Sequence, residues 1–281
     1  MKLTKMARAT MLTLASISTA QAVDIQISIT NLTQGNYFTP RIVVAHTADA
    51  DLFEVGETAS SALTWLAEAG VITDDQEVAS SGMNFEALLG PADTDNGSNT
   101  WHFFGGLVPP ASTLSYASFN TFDKPLLSIA SMLIPTNDAF VGLDSIVIPT
   151  EAGTYTYYLN AYDAGTELND ELNSTRTDIT GVGGTALGGY AAPGVAGAGA
   201  PPIAPSMSVG GTGVAATIGE AADGTALGVA TEVIDGTDGP IHIHRNTLGD
   251  TSATAGASDL DSTVHRWLNP VAKVTIVVPA S

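Results

Sequence analysis

Residues Val23 to Thr30 read V-D-I-Q-I-S-I-T, so Ile25, Ile27 and Ile29 share one face and polar side chains take the other. A period of two marks a strand with one buried face, and the stretch Asn31 to Pro40 follows it with turn chemistry. Arg41 to His46 is a second short strand. From Thr58 to Ala69 the period changes: Ala62, Leu63, Leu66 and Ala69 fall on one side of a helix, which Gly70 ends. Asn84 to Leu89 suits a second helical turn. Trp101 to Phe104, Thr113 to Phe119, Leu126 to Ile134, Asp144 to Ile148 and Thr154 to Ala161 are further strands. Ala272 to Val278 closes the series, with Val274, Ile276 and Val278 facing one way. Short strands, frequent turns and one or two small helices predict an all-β fold, an antiparallel β-sandwich.

Two segments stand outside this pattern. Lys2, Lys5 and Arg8 precede the weakly apolar run Ala9 to Ala20, and Ala20-Gln21-Ala22 places small residues where a signal peptidase cuts. Residues 1–22 are therefore expected to be a secretory signal peptide, leaving 23–281 as one domain. Between Gly181 and Ala230 lie 14 of the chain's 29 glycines, with Pro193, Pro201, Pro202 and Pro205. That stretch has no repeat period, so it is expected to be a Gly/Ala-rich loop insertion, about 178–232, within the sandwich.

Composition narrows the function. Nine Lys and Arg stand against 29 Asp and Glu, a formal charge of −20. Loss of the leader removes three basic residues and no acid, which takes the charge to 6 − 29 = −23. Such a chain has no basic footprint for nucleic acid. Charged residues make up only 14%, so the acidity reflects scarce Lys and Arg more than abundant carboxylates. The absence of cysteine excludes disulfides, a thiol nucleophile and thiolate metal sites. No later stretch has the ~18 uninterrupted apolar residues of a spanning helix. The expectation is a secreted or periplasmic protein without a transmembrane anchor.

The candidate chemistry lies in two acidic segments, Thr136 to Asp144 and Tyr162 to Glu171, each beside a strand. Both are read as loops at one end of the sandwich. Carboxylates without His or Cys suit calcium, which takes six to eight oxygens in a flexible shell. Gly165 would let the chain turn so that Asp163 and Glu167 face one ion. The spacing is not that of an EF-hand. Solvated acidic loops are the plainer reading of the composition alone.

The same segments resemble the spondin N-terminal family in its bacterial form. The family's aspartate-aromatic-Val-Gly-aspartate segment is similar to Asp138-Ala139-Phe140-Val141-Gly142-Leu143-Asp144. Its aromatic-Asp-Ala-Gly-Thr-acid segment is similar to Tyr162-Asp163-Ala164-Gly165-Thr166-Glu167. Ile27 to Thr33 and Asn269 to Lys273-Val274 extend the resemblance over about residues 24 to 278, the Gly/Ala-rich segment excepted. The resemblance implies a secreted, non-enzymatic β-sandwich used in extracellular matrix or adhesion. It also implies Ca2+, or another divalent cation, held by Asp138, Asp163 and Glu167 at a sandwich edge. The family more often has Asp where this chain has Glu167. The implied partner is an extracellular protein, a glycan or a cell-surface ligand, with self-association a further reading.

Histidines offer a competing chemistry. His242-Ile243-His244 puts two imidazoles on one face of a strand, and His265 is available as a third ligand. Three nitrogens would suit zinc or copper in a secreted metal-dependent enzyme. The plainer reading is histidines that face solvent or bond backbone carbonyls near the last strand. No Gly-x-Ser-x-Gly elbow, phosphate loop or dinucleotide fingerprint is present. Trp65, Trp101 and Trp267 are assigned to packing.

Overall fold

Alternation in the first strand is realised as read: in β1 (Asp24–Asn31) Ile25, Ile27 and Ile29 are buried, while Asp24 and Gln26 face solvent. The computed structural model describes residues 23–70, 72, 85–89, 100–166, 169, 239–249, 251 and 262–280. The expected leader (1–22) and the Gly/Ala-rich insertion (178–232) lie outside them. The remaining strands are β2 (Tyr37–Phe38), β3 (Arg41–His46), β4 (Thr100–Phe104), β5 (Thr113–Asn120), β6 (Leu126–Ile134) and β7 (Ala139–Val147). β8 (Gly153–Asp163), β9 (His242–Ile243) and β10 (Ala272–Val278) complete them. Helices α1 (Ser61–Ala69) and α2 (Phe85–Leu89) lie between β3 and β4.

All pairings are antiparallel and the main path runs β4-β3-β6-β7-β8-β10-β1-β5, with β2 on β6 and β9 on β8. β8 joins the two halves of this sandwich. Its first part, Gly153 to Leu159, pairs with β10, and its last part, Asn160 to Asp163, pairs with β7. The sheet curls so far that its end strands meet, which makes the sandwich nearly a barrel. The Phe104 ring of β4 and the Tyr116 ring of β5 are 3.7 Å apart between centroids.

Arg41 ties that seam. Only 1% exposed, it donates from Nη1 to the carbonyls of Thr39 (3.1 Å) and Gly106 (2.7 Å). Nη2 donates to the carbonyl of Gly105 (2.8 Å) and to the Tyr116 hydroxyl. The guanidinium carbon also lies 5.6 Å from the Tyr116 ring centroid. Burial lowers the Arg41 pKa and raises that of Tyr116. The cation is therefore compensated by carbonyl dipoles and a phenol instead of a carboxylate.

Two cores result. One fills the interior with Ile25, Ile27, Ile29, Val43, Leu127, Ile129, Val141, Leu159, Val274 and Ile276. The other lies on the outer face of β3, β6 and β7, where Ile42, Val44, Ala130 and Phe140 meet Leu63, Leu66 and Ala67 of α1. Ser60 caps that helix by accepting from Leu63 N (3.2 Å), worth about 1 kcal/mol, and Gly70 ends it in the left-handed region. The helix thus starts later than the sequence pattern predicts.

Coverage on both faces explains where the sequence reading fails. Ala139-Phe140-Val141-Gly142-Leu143 is buried throughout and shows no alternation, so a strand looked like part of an acidic loop. β7 therefore begins at Ala139, not at Asp144. Gly142 is needed there because a Cβ would meet Phe53 Cζ at 2.6 Å and Tyr162 Cδ2 at 2.9 Å.

At the far end of β7, Asp51 and Asp144 form a carboxylate pair. Asp144 Oδ1 is buried without a hydrogen-bond partner among the described residues. Burial first, and the charge of Asp144 second, raise the Asp51 pKa. A raised folded-state pKa means the fold binds that proton more tightly than the unfolded chain does. The contribution to stability is then fully present below the unfolded value and is lost as pH rises through the folded one. Asp51→Asn keeps the side-chain oxygen that accepts from Phe53 N (3.2 Å) and removes the charge. It is expected to raise the melting temperature at pH 7, with the gain shrinking as pH falls through the raised folded-state value and gone below the unfolded value of about 4. Calorimetry across that range checks it; a gain independent of pH would contradict the assignment.

Candidate cation site and adjoining cleft

Asp138 lies one residue before β7, and Asp163 ends β8, where the register pairs Ala139 with Asp163. Neighbouring strands thus bring together two acids separated by 25 positions. Both are fully buried. This corrects the sequence reading in one respect: Tyr162 and Asp163 belong to the strand, and the turn begins only at Ala164.

The turn is built around the two carboxylates. Asp163 Oδ1 accepts from Gly165 N (2.7 Å), and Asp138 Oδ2 accepts from Thr166 N (2.8 Å) and Thr166 Oγ1 (3.2 Å). Ala164 N donates to the Asp138 carbonyl at 3.2 Å. Gly165 has φ +72°, and a Cβ on it would sit 1.9 Å from the Gly239 carbonyl oxygen. Glycine is required there both by conformation and by close approach.

That approach brings in the segment from Gly239 to Gly249. Ile241 exchanges backbone hydrogen bonds with the 54–57 turn (Ile241 N to Glu57 O and Gly56 N to Ile241 O, both 2.8 Å). β9 pairs with β8 through Tyr162–Ile243 and Asp163–His242. Asn269 secures the far side, accepting from Ala161 N (2.7 Å) and donating to the His244 carbonyl (3.3 Å).

The two chemistries that the sequence separates therefore meet at one carboxylate. His242 Nε2 is 3.7 Å and His244 Nε2 is 3.9 Å from Asp163 Oδ2, which also accepts from the Asn169 side chain. The imidazoles are not equivalent. His242 Nδ1 lies 3.0 Å from the Pro240 carbonyl, which can only accept, so Nδ1 carries the proton and a neutral ring offers a lone pair from Nε2. His244 Nδ1 accepts from Asn246 N (3.1 Å), so its proton sits on Nε2 and it is no ligand in that state.

This corrects the three-histidine reading. Among the described residues no group of three or more His, Asp or Glu is arranged to hold a metal. His265 is buried apart, its carbonyl taken by Thr247 Oγ1 at 2.8 Å. Asp138 and Asp163 are adjacent as expected, whereas Glu167, the third expected ligand, lies outside the described residues. Asn169, which the sequence reading did not single out, donates its side-chain amide N–H to Asp163 Oδ2. The donor chemistry, two buried carboxylates on adjoining strand ends, fits an oxygen-preferring divalent cation.

Beside this pair opens a cleft of about 520 Å³, lined by Thr136, Asn169, His242, Arg245, Asn246 and Leu248 among others. No helix among the described residues is long and apolar enough to cross a membrane. The Spondin_N family model matches residues 30–180, which is 151 of the 281 positions. A search of curated proteins finds no match.

Proposed function

The chain belongs to the spondin N-terminal family, and from that membership we propose a secreted, non-enzymatic module that binds a divalent cation and serves extracellular adhesion or interaction. The family is typically extracellular and non-enzymatic. The observation that carries the cation is the placement of Asp138 and Asp163, both fully buried, on adjoining strand ends.

A buried carboxylate is costly without compensating charge. The imidazoles near Asp163 stand at 3.7 and 3.9 Å, beyond hydrogen-bond distance of its carboxylate. A divalent cation supplies that charge. Asp138 and Asp163 would hold it, with Glu167 as the third acid of the motif, and calcium is the first choice for an all-oxygen set. The chain's own residues do the rest. Thr166 and Gly165 N–H groups orient the carboxylates, and Phe53, Phe140 and Tyr162 pack beneath the strand ends. Ion binding fixes the 163–166 turn and, through the Gly165–Gly239 contact, the rim of the cleft. That ordered rim is the proposed interaction surface.

Because the ion binds the folded site preferentially, stability rises with its free concentration. Calcium at a hundred times its dissociation constant contributes about 2.7 kcal/mol, about 5–10 °C for a domain of this size. Thermal unfolding in chelator and in millimolar calcium tests this. The shift is expected in the wild type and absent in Asp163→Asn; no shift, or one that survives the substitution, counts against the site.

A further inference from the structure

The cleft beside the carboxylates carries an assignment of its own. Arg245 lines it, is exposed, and makes neither an ion pair nor a hydrogen bond among the described residues. That is notable in a chain with nine Lys and Arg against 29 Asp and Glu. Arg41 is buried in the seam and Lys124 is paired with Asp123 at 3.0 Å, while Arg266 and Lys273, also without an ion pair among the described residues, do not line the cleft. Asn246, next along the same wall, has φ +101°, outside the range a side-chain-bearing residue ordinarily adopts. Its backbone N–H is committed to His244, and its side-chain amide makes no hydrogen bond among the described residues. His242, part-exposed, and Asn169 line the same cleft.

We propose that this cleft binds a uronic-acid glycan, its carboxylate on Arg245 and its hydroxyls on Asn246, Asn169 and His242. A planar guanidinium fork matches a carboxylate bidentately, and amides with an imidazole match adjacent sugar hydroxyls. Leu248, 64% exposed, provides an apolar surface for a ring face. The acidic peptide is the less suitable anion, because the amide and imidazole groups beside Arg245 match the adjacent hydroxyls of a sugar.

This assignment rests on the cation reading. Bare Asp138 and Asp163 repel an incoming anion, whereas a bound divalent ion cancels their charge and leaves Arg245 to attract. Linkage then requires the two ligands to favour each other.

The test is calorimetric titration of the protein with trigalacturonate, in about 1 mM free calcium and in chelator. The fully methyl-esterified trisaccharide, with the same size and no charge, is the control. The acid is expected to bind in calcium, to weaken by about tenfold or more in Arg245→Gln, and to weaken again in chelator. Thermal unfolding of Arg245→Gln is measured alongside and is expected to retain the full calcium shift. If calcium stabilises but the acid binds no better than its ester, or equally well to Arg245→Gln, the glycan assignment falls and the cation reading stands. If binding is equal in calcium and chelator, the coupling is wrong. If calcium gives no thermal shift in the wild type, the underlying cation reading fails.

Discussion

Arg41→Met is expected to unfold at a lower urea concentration than the wild type, with a loss of about 2–3 kcal/mol. The side chain is 1% exposed and donates to three carbonyls and a phenol at the seam where β4 approaches β5. Methionine fills much of the volume and satisfies none of those acceptors. The Thr39 carbonyl would keep only Ser131 Oγ (2.8 Å) as a donor and the carbonyls of the exposed Gly105 and Gly106 would turn to water, so the loss is that of the charge-assisted bonds that tie the seam. Folded domains have only about 5–15 kcal/mol in hand, so this one contact holds a large share. Arg41→Lys is expected to rescue little, because one ammonium cannot span carbonyls on both sides and the Tyr116 hydroxyl. Tyr116→Phe keeps the ring over Phe104 and should cost about 1 kcal/mol. An Arg41→Met midpoint within about 1 kcal/mol of wild type would show that the seam closes by aromatic packing alone.

Gly165→Ala is the second large effect, and its consequences are local. A Cβ at φ +72° would sit 1.9 Å from the Gly239 carbonyl oxygen, a backbone atom that no rotamer change can move aside. Conformational penalty and overlap together should exceed about 3 kcal/mol, enough to expel the 239–244 segment from β8. Hydrogen exchange reads this directly. The amides of Ile241 and His244, bonded to Glu57 O and Ala161 O, should lose protection while β1 and β10 keep theirs. Gly239→Ala is the matched control. Its φ is +106°, but nothing lies within 4 Å of the new Cβ, so it should cost only the backbone strain. Equal protection in Gly165→Ala and wild type would remove the claim that this contact locks the cleft to the acidic turn.

These two residues also mark the limits of what the sequence discloses. The alternation of Ile25, Ile27 and Ile29 and that of Val274, Ile276 and Val278 predicted strands because each has one wet face and one dry face. Gly165 was legible as a turn residue, but its approach to Gly239 spans 74 positions and leaves no local trace. β7 was hidden because both of its faces are covered, one by the interior and one by α1, so the period that identifies a strand is missing. Arg41 was hidden for a different reason: its partners are carbonyls and one phenol, and no acid signals a buried cation. The acidic pair was found through its motifs, and adjacent strand ends join it. The histidines were found as well, yet assigned to a separate site, because Asp163 and His242 are 79 residues apart and only the β8–β9 pairing joins them.

That junction changes the chemistry expected of both groups. His242 presents a lone pair toward Asp163, whereas His244 presents an N–H, so the pair acts as a polar wall around a carboxylate and not as a twin nitrogen ligand. Asp138 and Asp163, and not the imidazoles, are then the groups proposed to hold a hard cation.

Calcium titration of the protein by isothermal calorimetry, with Asp138→Asn and Asp163→Asn alongside, tests the central claim most directly. The account predicts one ion per chain for the wild type and no measurable binding to either variant while both stay folded. Absence of binding to the wild type, or an undiminished single site in Asp163→Asn, would contradict it.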